Sequence, residues 1–445
     1  MNLKHKWKWR ISSFQLILLG FAAVILLGAL ILMLPISSRS RVWTPFTDAL
    51  FTATSAVCVT GLVVHDTATY WSVFGQIVLL VFIQIGGMGV VTVASSFLVL
   101  SGKKIGLFSR GTLQEAVSAP NVGGIVRLIG FILKGVFLVE GIGAVLMIPS
   151  FCIKFGAKGI WMAIFHSVSA FCNAGFDVMG SESGAFTSFT MLSTEPVVNI
   201  VIMLLIILGG IGFLVWDDVC QHRFQIRKYR MQSKVVLLVT LLLILCPALY
   251  FYFCEFNDLP LGERILTSLF QSVTLRTAGF NTVSFSGIGG IGLAIMIVMM
   301  LIGGSPGSTA GGMKTTTPAV LFASVTSIFR KKDHAELMSR RIDPETVKNA
   351  SAILLMYLTL FLSGGMLISG IEGLPLTDCL YEAASAIGTV GLTLGITPQL
   401  GTASRIILIL FMFFGRVGGL TLIYAAFGKN HKLVSKFPLE KITVG

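Results

Sequence analysis

The sequence predicts an all-α polytopic membrane protein. Four pseudo-fourfold repeats, each a helix, a re-entrant pore loop and a second helix, surround a central ion pore, and an intramembrane loop breaks the second helix of the third repeat. Three observations predict this. First, 54% of the 445 residues are hydrophobic and only 12% are charged, more apolar surface than a water-soluble domain of this size can use. Second, long apolar runs alternate with short basic segments. Third, one glycine-marked stretch occurs four times. It reads Ala53-Thr-Ser-Ala-Val-Cys-Val-Thr-Gly61-Leu62, Ser167-Val-Ser-Ala-Phe-Cys-Asn-Ala-Gly175-Phe176, Gln271-Ser-Val-Thr-Leu-Arg-Thr-Ala-Gly279-Phe280 and Ala383-Ala-Ser-Ala-Ile-Gly-Thr-Val-Gly391-Leu392. The glycines lie 114, 104 and 112 residues apart, so a repeat of about 110 residues sets the architecture.

The first unit spans 11–100, with apolar runs 11–36 and 72–100 on either side of its glycine stretch. The second spans 125–216, with runs 125–153 and 196–216. The third spans 234–329, with runs 234–254 and 287–329. The fourth spans 349–427, with runs 349–370 and 404–427, and a tail follows over 428–445. Each run can cross a bilayer, which takes about 20 residues of helix. The apolar runs just before the glycines, 45–57, 160–171, 262–275 and 376–387, are too short to cross and predict pore helices. Lys4, Lys6, Lys8 and Arg10 precede the run Phe14 to Leu34, as in a signal peptide. That run is too long for one and no small-residue cleavage site follows, so a retained first helix is expected.

Charge placement predicts the orientation. Segments 1–10, 101–127, 216–234, 330–348 and 428–445 hold 23 of the 33 Lys and Arg but 8 of the 20 Asp and Glu. Short loops rich in Lys and Arg stay in the cytoplasm. Both termini are then cytoplasmic, the glycine stretches enter from outside, and eight crossings close the parity. The net charge of +13 is therefore a topology signal and does not point to nucleic acid. The seven cysteines and six histidines are scattered, with no spacing for a disulfide framework or a metal site. His166 reads as a packing residue with one hydrogen bond.

A second motif follows each glycine stretch: Ile85-Gly-Gly-Met-Gly89, Leu208-Gly-Gly-Ile-Gly212, Ile302-Gly-Gly-Ser-Pro-Gly307 and Arg416-Val-Gly-Gly419. In three units small residues for close helix packing are the expected reason. The third departs. Its run 287–329 is about twice one crossing and contains Gly303, Gly304, Ser305, Pro306, Gly307, Ser308, Thr309, Ala310, Gly311, Gly312, Met313 and Lys314. Five glycines and a proline cannot continue a helix. Broken backbone at membrane depth needs protein burial or a water-filled cavity. The expectation is two half-helices joined by a gate loop beneath the ion path, against the alternative of an ordinary cytoplasmic connector.

A narrow pore must replace the water shell of an alkali cation, and backbone carbonyls do so without a fixed charge that would trap the ion. Glycine permits the backbone angles that aim them inward. The expected potassium-binding lining is Val59, Thr60 and Gly61; Asn173, Ala174 and Gly175; Thr277, Ala278 and Gly279; and Thr389, Val390 and Gly391. Side chains vary between copies while the glycine does not, which fits main-chain coordination. Arg276, three residues before its glycine, is expected behind the loop facing an acidic partner, either Glu263 or Glu382. Arg416 is expected to reach the cavity below and raise the barrier to cations, against packing or pairing with a Glu. Lys134 and Glu140 could form a structural pair, although their spacing of six matches helix faces poorly.

These features together, including Thr-Gly61-Leu, Ala-Gly175-Phe, Thr-Ala-Gly279-Phe-Asn and Thr-Val-Gly391-Leu, resemble the Trk–Ktr–HKT superfamily of cation transporters over essentially the whole chain. Within it they look most like the membrane subunits of bacterial Ktr potassium uptake systems. The resemblance implies potassium uptake across a bacterial plasma membrane. Glycine at all four positions goes with potassium preference, whereas serine at the first goes with sodium permeation. It implies a gate loop at 303–314 and the family arginine at Arg416. It also implies a homodimer joined partly by the C-terminal tail, and docking on a cytosolic octameric ring that binds ATP or ADP. No cofactor belongs to this chain; potassium is the substrate and sodium a candidate activator. Lys103-Lys104 and Arg330-Lys331-Lys332 are candidate docking surfaces, although positive-inside topology alone would account for them. A secondary solute carrier with its substrate site at the broken helix is the alternative, but such carriers show two inverted halves. An enzyme is not expected, since no nucleophile–base set stands at membrane depth.

Overall fold

The computed structural model describes residues 12–100, 106–117 and 123–419, with single positions 421, 424, 425, 438 and 440 beyond them. The N-terminal cluster 1–10, Lys103-Lys104 and nearly all of the 428–445 tail lie outside the described residues. The molecule is mostly helical, as expected of an all-α membrane protein.

The first helices of the four units are Ser13–Met33, Ile125–Phe155, Met231–Tyr250 and Pro344–Glu372. The third continues as one π turn, Phe251–Glu255. All four are long and apolar enough to cross a membrane alone. A capping box of Ser12 and Gln15 starts the first, satisfying two backbone groups that a helix end leaves open.

The short helices are Phe46–Val57, Lys158–Phe171, Leu261–Thr274 and Leu376–Gly388. Each is about 18–21 Å long at 1.5 Å per residue, too short for a hydrocarbon core of about 30 Å. Pro45, Pro260 and Pro375 begin three of them, with Asp48, Glu263 and Asp378 in the first turn. Those carboxylates complement the positive end of the helix dipole.

The second helices correct an expectation. Only the third was expected to break, yet the described part of every unit breaks at its glycine motif. Val73–Met88 turns by 96° into Val90–Ser96, and Pro196–Gly210 turns by 97° into Phe213–His222. In the third, Gly290–Leu301 and Thr316–Phe329 are separated by residues 302–315. In the fourth, Thr402–Val417 stops at Gly418. The hinge glycines have left-handed backbone: Gly89 (φ +86), Gly212 (φ +93) and Gly418 (φ +88). A helix cannot pass through such a residue.

Close packing, the role expected for these motifs, falls to Gly86 and Gly209 in the first two and, in the fourth unit, to Gly415 just before its motif. A Cβ on Gly86 would stand 2.0 Å from the Val57 carbonyl oxygen, on Gly209 1.9 Å from that of Phe171, and on Gly415 2.2 Å from that of Ile387. The second helices of the first, second and fourth units thus lie against the ends of their own short helices, whereas Met300 of the third lies against Gly388 of the fourth unit's short helix. Two elements between units also emerge where only loops were expected. One is a helix, Leu107–Val117, and the other a hairpin pairing Glu336–Leu337 with Arg340–Arg341.

Candidate functional site

The four glycines meet in one closed ring. A Cβ on Gly61 would lie 2.5 Å from the Ala174 oxygen, on Gly175 2.6 Å from that of Ala278, on Gly279 2.5 Å from that of Val390, and on Gly391 2.1 Å from that of Thr60. Each loop therefore abuts the carbonyl just before the next loop's glycine, and the fourth abuts the first. Cα atoms approach within the same shell, with the Gly391 position 2.9 Å from Gly61 Cα. No side chain fits in this ring.

The backbone has the same form in all four copies. Gly61, Gly175, Gly279 and Gly391 have φ of +92, +68, +80 and +91, and Val59, Asn173, Thr277 and Thr389, two residues earlier, have φ of +51, +58, +63 and +52. The residues between do not share the positive φ. The N–H groups are used on the outside of the ring. Thr60 N donates to Ser55 O at 2.8 Å, Ala174 N to Ser169 O at 2.8 Å, Ala278 N to Thr274 O at 3.0 Å and Val390 N to Ser385 O at 2.8 Å. These donors are thus satisfied within their own units, while the oxygens of residues 60, 174, 278 and 390 are the atoms the neighbouring glycines approach.

Hydroxyls at the ends of the short helices tether the loops, a role that sequence reasoning missed. Ser55 and Ser385 Oγ accept from Gly61 N and Gly391 N at 3.0 Å each. Ser169 Oγ donates to Phe176 O at 2.7 Å, and Thr274 Oγ1 to Phe280 O at 2.6 Å. The signal was present: serine stands six residues before the glycine in three copies, and threonine stands five before it in the other.

A cavity of about 580 Å³ opens on all four ring glycines from above, with Asp66, Asp177 and Asp378 in its wall. Below, a cavity of about 230 Å³ is lined by Gly312, Met313, Lys314, Glu115 and Arg416 among others. The loop 303–314 lies between the ring and this lower cavity. Its Ser305 N donates to Gly210 O at 3.0 Å, Thr309 N to Gly209 O at 3.2 Å and Gly312 N to Gly415 O at 3.1 Å. A Cβ on Gly311 would stand 2.2 Å from Thr389 Oγ1, directly behind the ring. Ser305 and Thr309 are fully buried. The loop's backbone groups are thus satisfied by the breaks in neighbouring second helices, as non-helical backbone away from water requires. Val117 of the helix between the first two units closes on it from below, 2.5 Å from the Cβ position of Gly307.

Arg416 joins this loop to the first unit. Its guanidinium donates to Thr309 O, to Gly86 O, and to Gly87 O at 3.0 Å. Lys314 Nζ donates to Ala310 O at 2.8 Å. Neither cation has a carboxylate partner among the described ion pairs.

Two expected partnerships are absent. Arg276 is 4% exposed and bonds to neither Glu263 nor Glu382; its Nε and Nη2 have no protein partner. Glu382 instead accepts from the Thr393 and Thr397 hydroxyls, holding down the segment after its own unit's glycine. Glu140 does not pair with Lys134. It accepts from Gln84 Nε2 at 3.3 Å and Cys172 Sγ at 3.8 Å. His166 accepts one hydrogen bond, from Val178 N at 3.1 Å, and stacks on Phe151.

Comparison with known proteins places these features in a wider set. A family model described as "TrkH: Cation transport protein" matches residues 12–433. The chain is 39% identical to the potassium/sodium uptake protein NtpJ of Enterococcus hirae, over 100% of this chain and 99% of that one. It is 36% identical to the Ktr system potassium uptake protein B of Bacillus subtilis, over 98% of each. Its fold matches the crystal structure of the potassium transporter TrkH from Vibrio parahaemolyticus with a TM-score of 0.70 at 19% identity, over 95% of this chain and 86% of that one.

Proposed function

The chain belongs to the TrkH family of cation transport proteins, and from that premise we propose that it takes potassium into a bacterial cell through the glycine ring. The chain is a multi-pass membrane transporter and not an enzyme. In this reading the ions shed water against the ring carbonyls of residues 59–61, 173–175, 277–279 and 389–391. The loop 303–314 gates the exit and Arg416 holds it closed. The observation that carries the proposal is the ring itself, in which four loops from four units each seat a glycine against the next loop's carbonyl. Fixed dipoles of this kind replace hydration without trapping the ion.

The finer assembly belongs to the same proposal: both termini in the cytoplasm, a homodimer, and a cytosolic nucleotide-binding ring through which ATP or ADP acts. Two of the relatives are named for Ktr systems, which supports a membrane subunit working with other components. Arg330, Lys331 and Lys332 are exposed beside the 336–341 hairpin, with Lys332 paired to Glu336, and offer one basic surface to such a partner. Sodium enters as an activator, in keeping with a relative named for both ions.

The test is tracer flux of potassium and sodium in liposomes, with and without the cytosolic partner. Gly61→Ser is expected to lower potassium-over-sodium discrimination about tenfold, roughly 1.4 kcal/mol, because its Cβ would meet the Ala174 carbonyl at 2.5 Å. An unaltered ratio in a folded variant removes the ring from the selectivity mechanism.

The upper cavity adds a pH dependence. Burial, and then the charge of Asp66, push the Asp177 carboxyl up to about 7. Asp177 is therefore ionised above that value and neutral below it. Lowering the external pH from 8 to 6 should reduce uptake from dilute potassium about twofold, because a negative wall concentrates cations. Asp177→Asn should hold uptake at its acid value across that range. A variant that keeps the wild-type pH profile would show that Asp177 plays no part.

A further inference from the structure

Three of the four seams between neighbouring units are crossed by the chain itself. The seam between the first and fourth units is not, so non-covalent contacts alone must close it. The ring is also tightest there, with the Gly391 Cβ position 2.1 Å from Thr60 O. Arg405, at the start of the fourth unit's second helix, reaches across this seam. Its Nη1 donates to Asp48 Oδ1 at 2.7 Å while Nη2 holds Pro398 O of its own unit at 3.0 Å. The second oxygen of Asp48 meets His65 Nε2 at 2.9 Å, and His65 stacks on Tyr70. The Arg405 and Asp48 side chains are only 17% and 12% exposed. The pairs Lys154–Glu195, Lys158–Glu182, Arg230–Asp217, Arg230–Asp218 and Lys332–Glu336 each lie within one unit or one connector.

We propose that the Asp48–Arg405 pair is a clasp on this seam, which Arg416 also crosses through Gly86 O and Gly87 O, and that the pair positions the Thr60 carbonyl against Gly391 and so sets how strictly the ring discriminates potassium from sodium. The proposal rests on reading the ring as the ion path. Asp48 stands in the first turn of the short helix that ends at Val57. That helix is a rod about 18 Å long, so fixing its start fixes the loop it presents. Arg suits the task because its planar fork serves two acceptors at once. Removing one partner leaves a buried charge uncompensated, which favours separation of the two units at this seam over the other three. Asp48 and Arg405 are thus positioning residues that touch no ion.

The experiment uses the full chain in liposomes, with Arg405→Gln and Asp48→Asn. Amide hydrogen exchange over residues 55–66 and 385–396 should quicken about tenfold, as loss of a charge-assisted bond implies. Exchange over 169–180 and 273–284 should stay unchanged, and the potassium-over-sodium flux ratio should fall about tenfold. Arg405→Lys keeps the charge but serves one acceptor, so it should give the same pattern more weakly, also if the stronger variants fail to fold. Unchanged exchange at the first–fourth seam, or equal quickening in all four loops, overturns the clasp. So does an unaltered flux ratio in a wild type that does select potassium. A wild type that carries no potassium would sink the transport reading instead, and the exchange measurement would still decide the clasp.

Discussion

Gly391→Ala should reduce potassium uptake about a hundredfold while the protein still reaches the membrane. The new methyl would stand 2.1 Å from Thr60 O and 2.9 Å from Gly61 Cα, on backbone with φ of +91. Left-handed backbone at a non-glycine residue costs about 1–3 kcal/mol. The contact itself is worse, because its partner is main chain that cannot rotate away. Thr60 N is held by Ser55 O at 2.8 Å and Gly61 N by Ser55 Oγ at 3.0 Å. Relief requires the first and fourth loops to part by roughly 1 Å, a misplacement that costs about a hundredfold where geometry decides the rate. The measurement is rubidium or potassium uptake in potassium-deficient cells, scaled to the amount of protein in the membrane. Gly370→Ala is the control, since nothing lies within 4 Å of its Cβ position. Near-normal uptake by Gly391→Ala would mean that ions do not pass this ring.

Arg416→Ala should do the opposite and raise flux about tenfold. Arg416 is the strut between the loop and the first unit, donating to Thr309 O on one side and to Gly86 O and Gly87 O on the other. A hydrogen bond to a charged group contributes about 1.5–3 kcal/mol, so losing three outweighs the roughly 1.4 kcal/mol that a tenfold rate change needs. The side chain also places a positive charge in the wall of the lower cavity, and removing it lowers the barrier to a cation. Both effects act in one direction. Rubidium flux into liposomes is the readout, with Arg416→Lys, which keeps charge but fewer bonds, falling between. Unchanged flux in folded Arg416→Ala would reduce Arg416 to a packing residue.

Much of this was legible in the chain because the repeat is long and its marks are simple. Run length separates helices that cross from helices that stop. The short helices found at 46–57, 158–171, 261–274 and 376–388 lie within about two residues of those read from hydrophobicity. The bends at Gly89 and Gly212 were not legible. In each motif one glycine serves contact and another serves φ, and composition does not distinguish them. The partners of Arg276, Lys134 and Glu140 were not legible either. Which side chain meets a buried charge depends on how helices from different units are rotated, and Glu140 meets Gln84 and Cys172 from two other elements. The hydroxyl tethers fall between these cases. Ser55, Ser169 and Ser385 share a register that alignment of the repeats exposes, while Thr274 is offset by one.

The interrupted third unit has a consequence for how such a molecule can be built. Four identical subunits would each bring a copy of residues 303–314 to the same axis, and four copies could not occupy the space that one already fills against Gly209, Thr389 and Gly415. Fusing the quadrants into one polypeptide removes that conflict. A single quadrant can then carry an obstruction while the other three keep the surfaces that receive it, and an ion leaving the ring would take an off-centre route.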